Sequence, residues 1–338
     1  MRILITGGCG FIGSNLAIYL KTIGHKVQTL DNLSRNGAKF NLKELRVNEI
    51  KNHKLDIRNY SSLVKLKNFD LIIDCCAEPS VESSKKNLDL TFYTNLVGTY
   101  NLLKIASINK SKIIFLSTSR VYSIKEIQKK TKFKNFKIIK KFKINEKFST
   151  SAPISLYGYS KLSSEMLIKE FSFLKKIDFI INRFGLVAGP GQFGKIDQGV
   201  VSYWIWRRIN SLSLSYKGYG GSGNQIRDIL HIKDLIFIIG QQVRNIKTIK
   251  NEIFNIGGGI SNSISLFELN NSVSRLLNKR NRVLRIIKTS QYDIPMYISD
   301  NSKIKKFYKW KPKFSLKNII TDIYNWQIAK KDKIKLFF

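Results

Sequence analysis

A tyrosine and a lysine four residues apart, Tyr157 and Lys161, are the side chains of this sequence best suited to proton transfer. In a helix this spacing places both side chains on one face, a single turn apart. A free tyrosine has a pKa of about 10, and an ammonium about 4 Å away at an effective dielectric of about 20 stabilises the tyrosinate by roughly 4 kcal/mol, or about three pKa units. The pair therefore predicts that Tyr157 acts as a general base near neutral pH.

Three hydroxyl side chains follow a short apolar run and form a second candidate for chemistry. The run at residues 113–116 has the character of a buried strand, and Ser117, Thr118 and Ser119 come directly after it. Open α/β sheets bind their ligands at the carboxyl ends of the strands. We therefore expect Thr118 to hydrogen-bond the reacting oxygen of a substrate, with Ser117 or Ser119 as the alternatives.

A glycine-rich loop near the start of the chain indicates what binds beside these groups. Gly7 and Gly10 lie between a strand-like run at 3–6 and an amphipathic helical pattern at 11–23, and Gly13 lies in the first turn of that pattern. Such glycines permit a tight turn, a close approach of the backbone to a pyrophosphate, and close packing of helix on strand. The helix N-terminus adds amide hydrogens and a positive dipole. The loop therefore predicts dinucleotide binding.

Charged residues after the second strand indicate which dinucleotide is bound. Asp31 follows the strand-like run at 26–30, where a carboxylate accepts hydrogen bonds from the adenosine ribose and repels a 2′-phosphate. This position favours NAD over NADP. Arg35 supports the alternative, because a guanidinium there could pair with that phosphate. Asp56 and Ile57, after a third strand, are expected to flank the adenine.

The first half of the chain alternates strand-like and helical patterns, which predicts the fold that positions these residues. Strand-like runs lie at 3–6, 26–30, 71–75, 113–116 and 179–181, and helical patterns lie at 11–23, 88–108 and 157–174. Such alternation predicts an α/β fold, a Rossmann-like doubly wound parallel sheet with helices on both faces.

The second half has a mixed pattern, which predicts a smaller mixed α/β domain. Turns rich in Gly and Ser surround two longer segments at 199–212 and 265–277. Residues 228–256 resemble a return into the sheet, with short strand-like runs on either side of an apolar helix at 234–243. We place the NAD-binding domain at 1–183 with a return segment at 228–258, and the substrate-binding domain at 184–227 and 259–338.

Composition limits the class of protein. At 338 residues and 43% hydrophobic content, the chain can bury a full core. Its apolar segments are too short or too charged to span a bilayer, and no signal-peptide pattern follows Met1, so we expect a cytoplasmic location. Three cysteines without spaced ligand pairs predict neither a disulfide framework nor a metal site.

The net charge of +36 could indicate a polyanionic partner. The lysines are nevertheless spread along the chain, and Ile, Lys and Asn are abundant together, as AT-rich codons would produce. We therefore expect a solvated surface with no membrane or nucleic-acid partner, and an RNA-binding protein of this fold stays as the alternative of another class. The densest lysine segment, residues 125–147, predicts a flap that is either a solvated insertion or a lid.

Three further motifs accompany the glycine loop and the Tyr-Lys pair. They are Asp31-Asn32-Leu33-Ser34-Arg35, Asn95-x-x-Gly98-Thr99 and Ser117-Thr118-Ser119-Arg120-Val121-Tyr122. With them the chain resembles, over nearly its whole length, the extended short-chain dehydrogenase/reductase family of nucleotide-sugar epimerases and dehydratases. Residues 189–199, 225–231, 254–258 and 262–266 are similar to the CDP-paratose 2-epimerases, also called CDP-tyvelose 2-epimerases, within that family.

The resemblance implies an NAD-dependent epimerase that oxidises a nucleotide-diphosphate sugar and returns the hydride to the other face of the carbon. Thr118, Tyr157 and Lys161 would be the catalytic residues. The residues implied for NAD are Gly7, Gly10, Phe11, Ile12, Gly13, Asp31, Asn32, Ser34, Arg35, Asp56, Ile57, Ala77, Asn95, Tyr157 and Lys161. Those implied for the substrate are Ser119, Arg120, Asn182, Gln192, Gln198 and Arg227, with Arg227 on the diphosphate.

The resemblance also ranks the rival reactions. Dehydratases of the family carry Asp-Glu after the active threonine, where this chain has Ser119 and Arg120, so dehydration is disfavoured. The nearest rivals are a UDP-glucose 4-epimerase and a ketosugar reductase of the same fold. His231 inherits no catalytic role and is expected to be structural. A homodimer is expected, with the helices at 88–108 and 157–174 forming a four-helix interface.

Overall fold

A computed structural model describes residues 1–131, 142–279 and 282–338, and within them the chain forms two compact units. Unit 1 comprises Met1–Val121, Leu156–Arg183 and Ile236–Phe254. Unit 2 comprises Tyr122–Ser155, Phe184–Leu235 and Asn255–Phe338.

The units differ from the expected domains in two places. Tyr122–Ser155 lies in unit 2, although the sequence boundaries place it in the first domain, and the return segment of unit 1 is Ile236–Phe254 and not 228–258. Backbone pairing explains the first difference, since the Ile144 N–H donates to the Ile298 carbonyl, in unit 2, at 2.9 Å. The assignment of NAD and sugar to separate domains stays a prediction.

The described residues form thirteen strands, and the strand-like runs expected at 3–6, 26–30, 71–75, 113–116 and 179–181 coincide with five of them. The thirteen strands are β1 (Arg2–Thr6), β2 (Lys26–Leu30), β3 (Lys51–His53), β4 (Leu71–Asp74), β5 (Lys112–Thr118), β6 (Phe179–Phe184), β7 (Leu186–Ala188), β8 (Leu214–Lys217), β9 (Ile226–His231), β10 (Glu252–Ile256), β11 (Ser263–Ser265), β12 (Val283–Ile286) and β13 (Met296–Tyr297).

A seven-stranded sheet forms the centre of unit 1, in the order β10-β6-β5-β4-β1-β2-β3. The pairs β1/β2, β1/β4, β2/β3 and β4/β5 are parallel. The strand order reverses between β1 and β4, and open sheets of this kind bind ligands at such a switch point. The order confirms the predicted Rossmann-like doubly wound sheet.

The described residues form fourteen α-helices, and the helical patterns expected at 11–23, 157–174 and 234–243 coincide with three of them. The fourteen helices are α1 (Phe11–Thr22), α2 (Ala38–Val47), α3 (Tyr60–Leu63), α4 (Val81–Lys86), α5 (Leu88–Phe92), α6 (Gly98–Asn109), α7 (Ile124–Lys130), α8 (Leu156–Lys175), α9 (Val200–Ile209), α10 (Ile232–Asn245), α11 (Leu266–Leu277), α12 (Ser302–Tyr308), α13 (Leu316–Ala329) and α14 (Lys331–Ile334). The helix expected at 88–108 is interrupted by one π-helical turn, Tyr93–Val97, which separates α5 from α6.

Both faces of the central sheet are buried, as a parallel sheet requires. Leu4 of β1, Ile72 of β4 and Phe115 of β5 lie in one apolar cluster with Leu102 of α6 and Ile168 of α8. Each large apolar side chain that is buried in this way stabilises the fold by about 1.5–3 kcal/mol. The core therefore fixes the positions of the strand ends, and the polar site residues follow directly after those ends.

Unit 2 is organised around β9, which combines both pairing senses. β9 pairs antiparallel with β11 and parallel with β7 and β13, and β8 pairs with β12 in a separate ribbon. Ile205 of α9, Val273 of α11 and Ile319 of α13 lie in its apolar core. The mixed sheet confirms the predicted second α/β domain.

The lysine-rich segment at 125–147 is described only in part. Its residues 132–141, which include Phe133, Phe136 and Ile138 of the predicted flap, lie outside the described residues. Before that gap the chain forms α7, and after it Ile144 is fully buried and pairs with Ser299 within unit 2. No helix in the described ranges is long and apolar enough to cross a membrane.

Candidate active site

The predicted catalytic hydroxyls meet in unit 1, between β5 and α8. Thr118 is the last residue of β5 and Tyr157 lies in the first turn of α8, and both are buried. Their side chains are hydrogen-bonded to each other. Lys161 follows one turn later on α8 and is also buried. The structure thus brings Thr118 and Tyr157 into direct contact.

Burial shifts the pKa of Tyr157 upwards, whereas the sequence predicted a downward shift. The pKa of Tyr157 is raised, because burial penalises the tyrosinate more than its hydrogen bond to Thr118 and the nearby Arg120 and Arg35 stabilise it. The nearby Glu78 carboxylate raises the pKa further. The expectation that Lys161 alone brings Tyr157 near neutrality is therefore wrong for the unliganded chain. The sequence shows the spacing of the pair but not its desolvation.

The Lys161 ammonium is enclosed and makes no hydrogen bond to a described residue. It is 2% exposed, and its Nζ lies 3.8 Å from the ring centroid of Phe115. Burial lowers the pKa of Lys161, while the nearby Asp74 carboxylate acts in the other direction. A buried ammonium with unused donors fits a ligand that brings hydroxyl acceptors, such as a dinucleotide ribose. The surroundings of Lys161 therefore fit its expected role in binding the cofactor, and that role stays a prediction.

A buried ion pair fastens α8 to the strands behind it. Glu165, one turn beyond Lys161, accepts hydrogen bonds from Arg183 Nε at 3.0 Å and from Arg183 Nη2 at 2.6 Å. The Ser117 hydroxyl donates to the same carboxylate. Because Ser117 precedes Thr118, this pair fixes the strand that carries Thr118 against the helix that carries Tyr157. Glu165 and Arg183 are positioning residues that the sequence analysis missed.

Asn95 connects the π-helical turn to α8 and to the loop after β4. Its Nδ2 donates to the Glu78 carbonyl at 3.1 Å and to the Ser160 hydroxyl at 2.9 Å, and its Oδ1 accepts from the Glu78 N–H at 2.8 Å. The π turn tilts this one side chain into the interior, as π turns at functional sites often do. Asn95 was predicted to contact NAD, and here its amide is occupied by protein partners.

The glycine loop forms the cradle that the sequence predicts. Gly7 has a left-handed backbone with φ of 61°, and a Cβ at Gly13 would lie 2.3 Å from the Gly7 carbonyl oxygen. Gly10 caps α1 without a side-chain hydrogen bond. The first-turn amides of Phe11 and Ile12 have no partner within the helix, as in every helix N-terminus, and they suit an anion such as a pyrophosphate.

The Asp31 carboxylate can accept hydrogen bonds from the hydroxyl groups of a ligand. Its two carboxylate oxygens each accept one backbone N–H, from Cys9 at 3.0 Å and from Leu33 at 2.8 Å, which leaves lone pairs for a ligand. Burial raises the pKa of Asp31. Nearby, the Asn32 amide donates to Asp56 at 2.9 Å, and Arg58 holds the pKa of the Asp56 carboxyl well below its usual range.

Three other predicted cofactor residues, Ser34, Ile57 and Ala77, follow β2, β3 and β4. The Ser34 N–H donates to Asn32 Oδ1 at 3.0 Å, which closes the turn after β2. Ile57 packs against Gly98, where a Cβ would lie 2.3 Å from its Cγ1. Ala77 lies in the loop after β4, next to Glu78. The predicted NAD residues therefore follow the carboxyl ends of β1 to β4 or lie in the first turn of α1, apart from Asn95 in the π-helical turn and Tyr157 and Lys161 in α8.

Arg35 is engaged by a carboxylate that the sequence analysis did not consider. Its Nη1 lies 2.9 Å from Glu78 Oε2, and the two side chains are 38% and 11% exposed. The guanidinium proposed as a partner for a 2′-phosphate is thus already paired. Glu78 could have been noticed from its position, because it follows β4 at the edge of the sheet where ligands bind.

Asn182 does not reach a site. It is fully buried within β6, and its amide exchanges two hydrogen bonds of 2.8 Å with Gln242 of α10. The prediction that Asn182 binds substrate is therefore wrong, since both of its polar atoms serve to pack α10 on the sheet. The strand pattern predicted an end at 181, whereas β6 continues to Phe184 and keeps Asn182 inside.

The other substrate candidates divide between the units. Ser119 and Arg120 begin a short 3-10 turn directly after β5 in unit 1. Gln192 and Gln198 lie in the loop before α9 in unit 2, where Gln192 Nε2 donates to the Val187 carbonyl at 3.0 Å. Arg227, in β9, is 3.0 Å from Asp293 Oδ1 and donates to the Ile294 carbonyl at 2.8 Å. These contacts hold its guanidinium in one orientation.

His231 occupies a packing position at the end of β9. It is fully buried and stacks on Phe314 with ring centroids 4.4 Å apart, and its Nδ1 accepts from the Lys233 N–H at 3.0 Å. Its Nε2 lies 3.4 Å from the Asp322 carboxylate. Burial lowers the pKa of His231 to about 4, so the ring is neutral at physiological pH.

Comparison with known proteins supports a family assignment. The model of the NAD-dependent epimerase/dehydratase family matches residues 3–257. A CDP-paratose 2-epimerase from Salmonella typhi is 30% identical over 339 residues, covering 96% of this chain and 99% of that protein. A UDP-glucuronate 4-epimerase from Thermodesulfobacterium geofontis is 26% identical and covers 98% of both chains.

A solved structure shows the same architecture with ligands bound. The UDP-glucuronic acid 4-epimerase from Bacillus cereus, in complex with UDP-glucuronic acid and NAD, superposes with a TM-score of 0.81 at 25% identity. The match covers 97% of this chain and 99% of that one.

Proposed function

The chain belongs to the NAD-dependent epimerase/dehydratase family, and we propose that within it the protein is an epimerase that inverts one carbon of a nucleotide-activated sugar without net oxidation. The hydrogen-bonded pair of Thr118 and Tyr157 carries this proposal. The pair offers one group that holds the oxygen of a sugar hydroxyl and one that takes its proton. NAD is the cofactor of the family, and when bound it supplies a hydride acceptor and donor.

The roles of the three residues follow from their surroundings. Tyr157 takes the proton of the sugar hydroxyl and gives it back when the carbon is reduced, so one residue serves both directions. Thr118 hydrogen-bonds the same oxygen and keeps it in reach of Tyr157. Lys161 donates from its buried ammonium to the ribose hydroxyls of the dinucleotide. Positive charge near the tyrosinate, including Arg120, favours its formation once substrate is bound.

The residues next to Thr118 favour epimerisation over dehydration. Elimination of water needs an acid and a base beside the keto sugar, and the positions after Thr118 hold Ser119 and Arg120. Glu78 is the carboxylate near Tyr157, and it is paired with Arg35. A single proton carrier at the reacting carbon is sufficient for oxidation and return.

We propose CDP-paratose, with inversion at carbon 2, as the substrate that fits best. The support is the 30% identical relative of that name, which the chain matches almost end to end. Arg227 would bind the diphosphate, a role that suits a planar guanidinium fixed by Asp293. Inversion at carbon 4 of a UDP-sugar is the second candidate, because a UDP-glucuronate 4-epimerase is also a relative of this chain.

We also propose a homodimer formed through α8 and the α5–α6 pair. Tyr159, Met166 and Phe173 of α8 are seven residues apart, so they form one apolar stripe, and they are 52%, 60% and 73% exposed. Tyr93 and Tyr100 on the neighbouring helices are also exposed. Exposed apolar stripes of this extent mark association surfaces. Sedimentation equilibrium of Phe173→Asp should give a monomer where the wild type gives a dimer, and a monomeric wild type would contradict the proposal.

The substrate is tested by incubating the protein, with NAD, with CDP-paratose, CDP-tyvelose, UDP-glucose and UDP-glucuronate in separate reactions. Products are identified by NMR of the sugar ring, and absorbance of reduced nicotinamide is followed in parallel. Conversion of a CDP-sugar at carbon 2 with no net change in absorbance supports the proposal. Conversion of a UDP-sugar alone would select the 4-epimerase, and stoichiometric consumption of NADH would select a reductase.

A further inference from the structure

The Arg35–Glu78 ion pair spans the place where the glycine loop lies. Arg35 follows β2, Glu78 follows β4, and the sheet order places β1 between these two strands. A contact of 2.9 Å between the two side chains therefore crosses the carboxyl end of β1. The loop from Gly7 to Gly13 leaves β1 at that end, so the pair lies at the same edge of the sheet as this loop.

Both ends of this bridge are attached to ordered backbone. The Glu78 N–H and carbonyl are both bound by the Asn95 amide, which in turn is bound to Ser160 of α8. Arg35 lies in the turn after Asp31, and its carbonyl accepts the Ala38 N–H at 3.1 Å at the start of α2. The two side chains thus connect two fixed points of the backbone, and separating them requires movement of the side chains alone.

We propose that the Arg35–Glu78 pair is a clasp across the dinucleotide groove that slows release of the bound dinucleotide. A redox-neutral epimerase needs such retention, because loss of reduced cofactor in mid-cycle would leave a keto sugar that cannot be reduced. The same pairing occupies the guanidinium that could otherwise receive a 2′-phosphate, so Glu78 also favours NAD over NADP. The clasp rests on the dinucleotide part of the proposed function and is independent of the sugar.

The size of the effect follows from the exposure of the pair. The pair is partly exposed, so we expect it to contribute about 0.65–1.4 kcal/mol, and these two values correspond to factors of about three and ten. Glu78→Gln keeps the shape of the side chain and removes its charge, and the backbone contacts with Asn95 are unaffected. We expect NADH to dissociate about three- to tenfold faster from Glu78→Gln than from the wild type.

The measurement is displacement of NADH by excess NAD in a stopped-flow instrument, followed by nicotinamide fluorescence without any sugar. Arg35→Gln provides a second variant, and the double variant completes a cycle in which the two changes should not add. Glu82→Gln is the matched control, because Glu82 pairs with Lys85 on the exposed face of α4 and should release NADH at the wild-type rate. Circular dichroism verifies that each variant is folded.

The salt dependence of NADH release distinguishes a clasp from a purely structural role of the Arg35–Glu78 pair. Raising ionic strength screens a partly exposed pair, so release from the wild type should accelerate with salt more than release from Glu78→Gln. Equal release rates in wild type and both variants would overturn the clasp, and so would slower release from Glu78→Gln, which would mean that the pair obstructs the groove. A wild type that binds no NADH would overturn the proposed function itself.

Discussion

Replacing Glu165 by glutamine tests whether the buried pair behind the site holds α8 in place. The Glu165 and Arg183 side chains are 1% and 5% exposed, so the change leaves a guanidinium without a counter-charge in the interior. Breaking a buried pair costs about 3–5 kcal/mol. The amide oxygen of glutamine still accepts from Ser117 or Arg183, so we expect a loss of about 3 kcal/mol in the free energy of unfolding.

The loss is measured by urea unfolding at one fixed protein concentration, where it should lower the midpoint by about 1 M. Because Ser117 adjoins Thr118, we also expect kcat to fall about tenfold with little change in KM. Glu170→Gln, an exposed carboxylate on the same helix, is the control and should change stability by less than about 0.5 kcal/mol.

A double variant distinguishes charge imbalance from general disruption. Glu165→Gln with Arg183→Met removes both charges, so it should recover part of the stability lost in the single variant. A single variant within about 1 kcal/mol of the wild type would refute the reasoning, because the buried guanidinium would then need no partner. A double variant that is less stable than the single by the full cost of Arg183→Met would refute it as well.

Three further predictions concern single titrating groups. Tyr157→Phe should lower kcat by a factor of about 10²–10⁴, measured by turnover, because it removes the proton carrier. The Kd for NADH, measured by fluorescence titration, should stay within about threefold of the wild type. Unchanged turnover would exclude Tyr157 as the proton carrier. Because burial raises the pKa of Tyr157 and the base must be ionised, kcat/KM should rise with pH through the alkaline range, and a profile flat from about pH 6 to 10 would contradict this. His231 has a folded-state pKa lowered to about 4 from 6.5, so its contribution to stability is present above pH 6.5 and is lost as pH falls towards 4. The midpoint of urea unfolding should therefore fall less steeply with acid in His231→Phe than in the wild type. Identical pH slopes of the two midpoints would disprove the assignment.

The sequence predicted the fold because parallel strands are nearly continuous apolar runs with polar residues at their ends. Thr118 and Asp31 were found in this way, each as the first useful polar group at or just after a strand end. Tyr157 and Lys161 were found from helical spacing, which is a local property. Residues placed by local rules were thus accessible without a structure.

The errors arise where tertiary contacts decide. Asn182 follows a predicted strand end, but its amide is used by Gln242, sixty residues away in the chain. The Arg35–Glu78 pair depends on the order of strands in the sheet, and the direction of the Tyr157 pKa depends on burial. Glu165 was within reach, since a carboxylate one turn beyond Lys161 lies on the same helical face.

The return of a hydride to the carbon from which it came is tested most directly in D2O. The sugar nucleotide that the protein converts is incubated with enzyme and NAD in D2O, and the product is examined by mass spectrometry and NMR at the inverted carbon. We predict that this carbon carries no deuterium, because the hydrogen never exchanges with solvent. One deuterium per inverted carbon would contradict hydride return and would mean that the carbon is deprotonated and reprotonated instead.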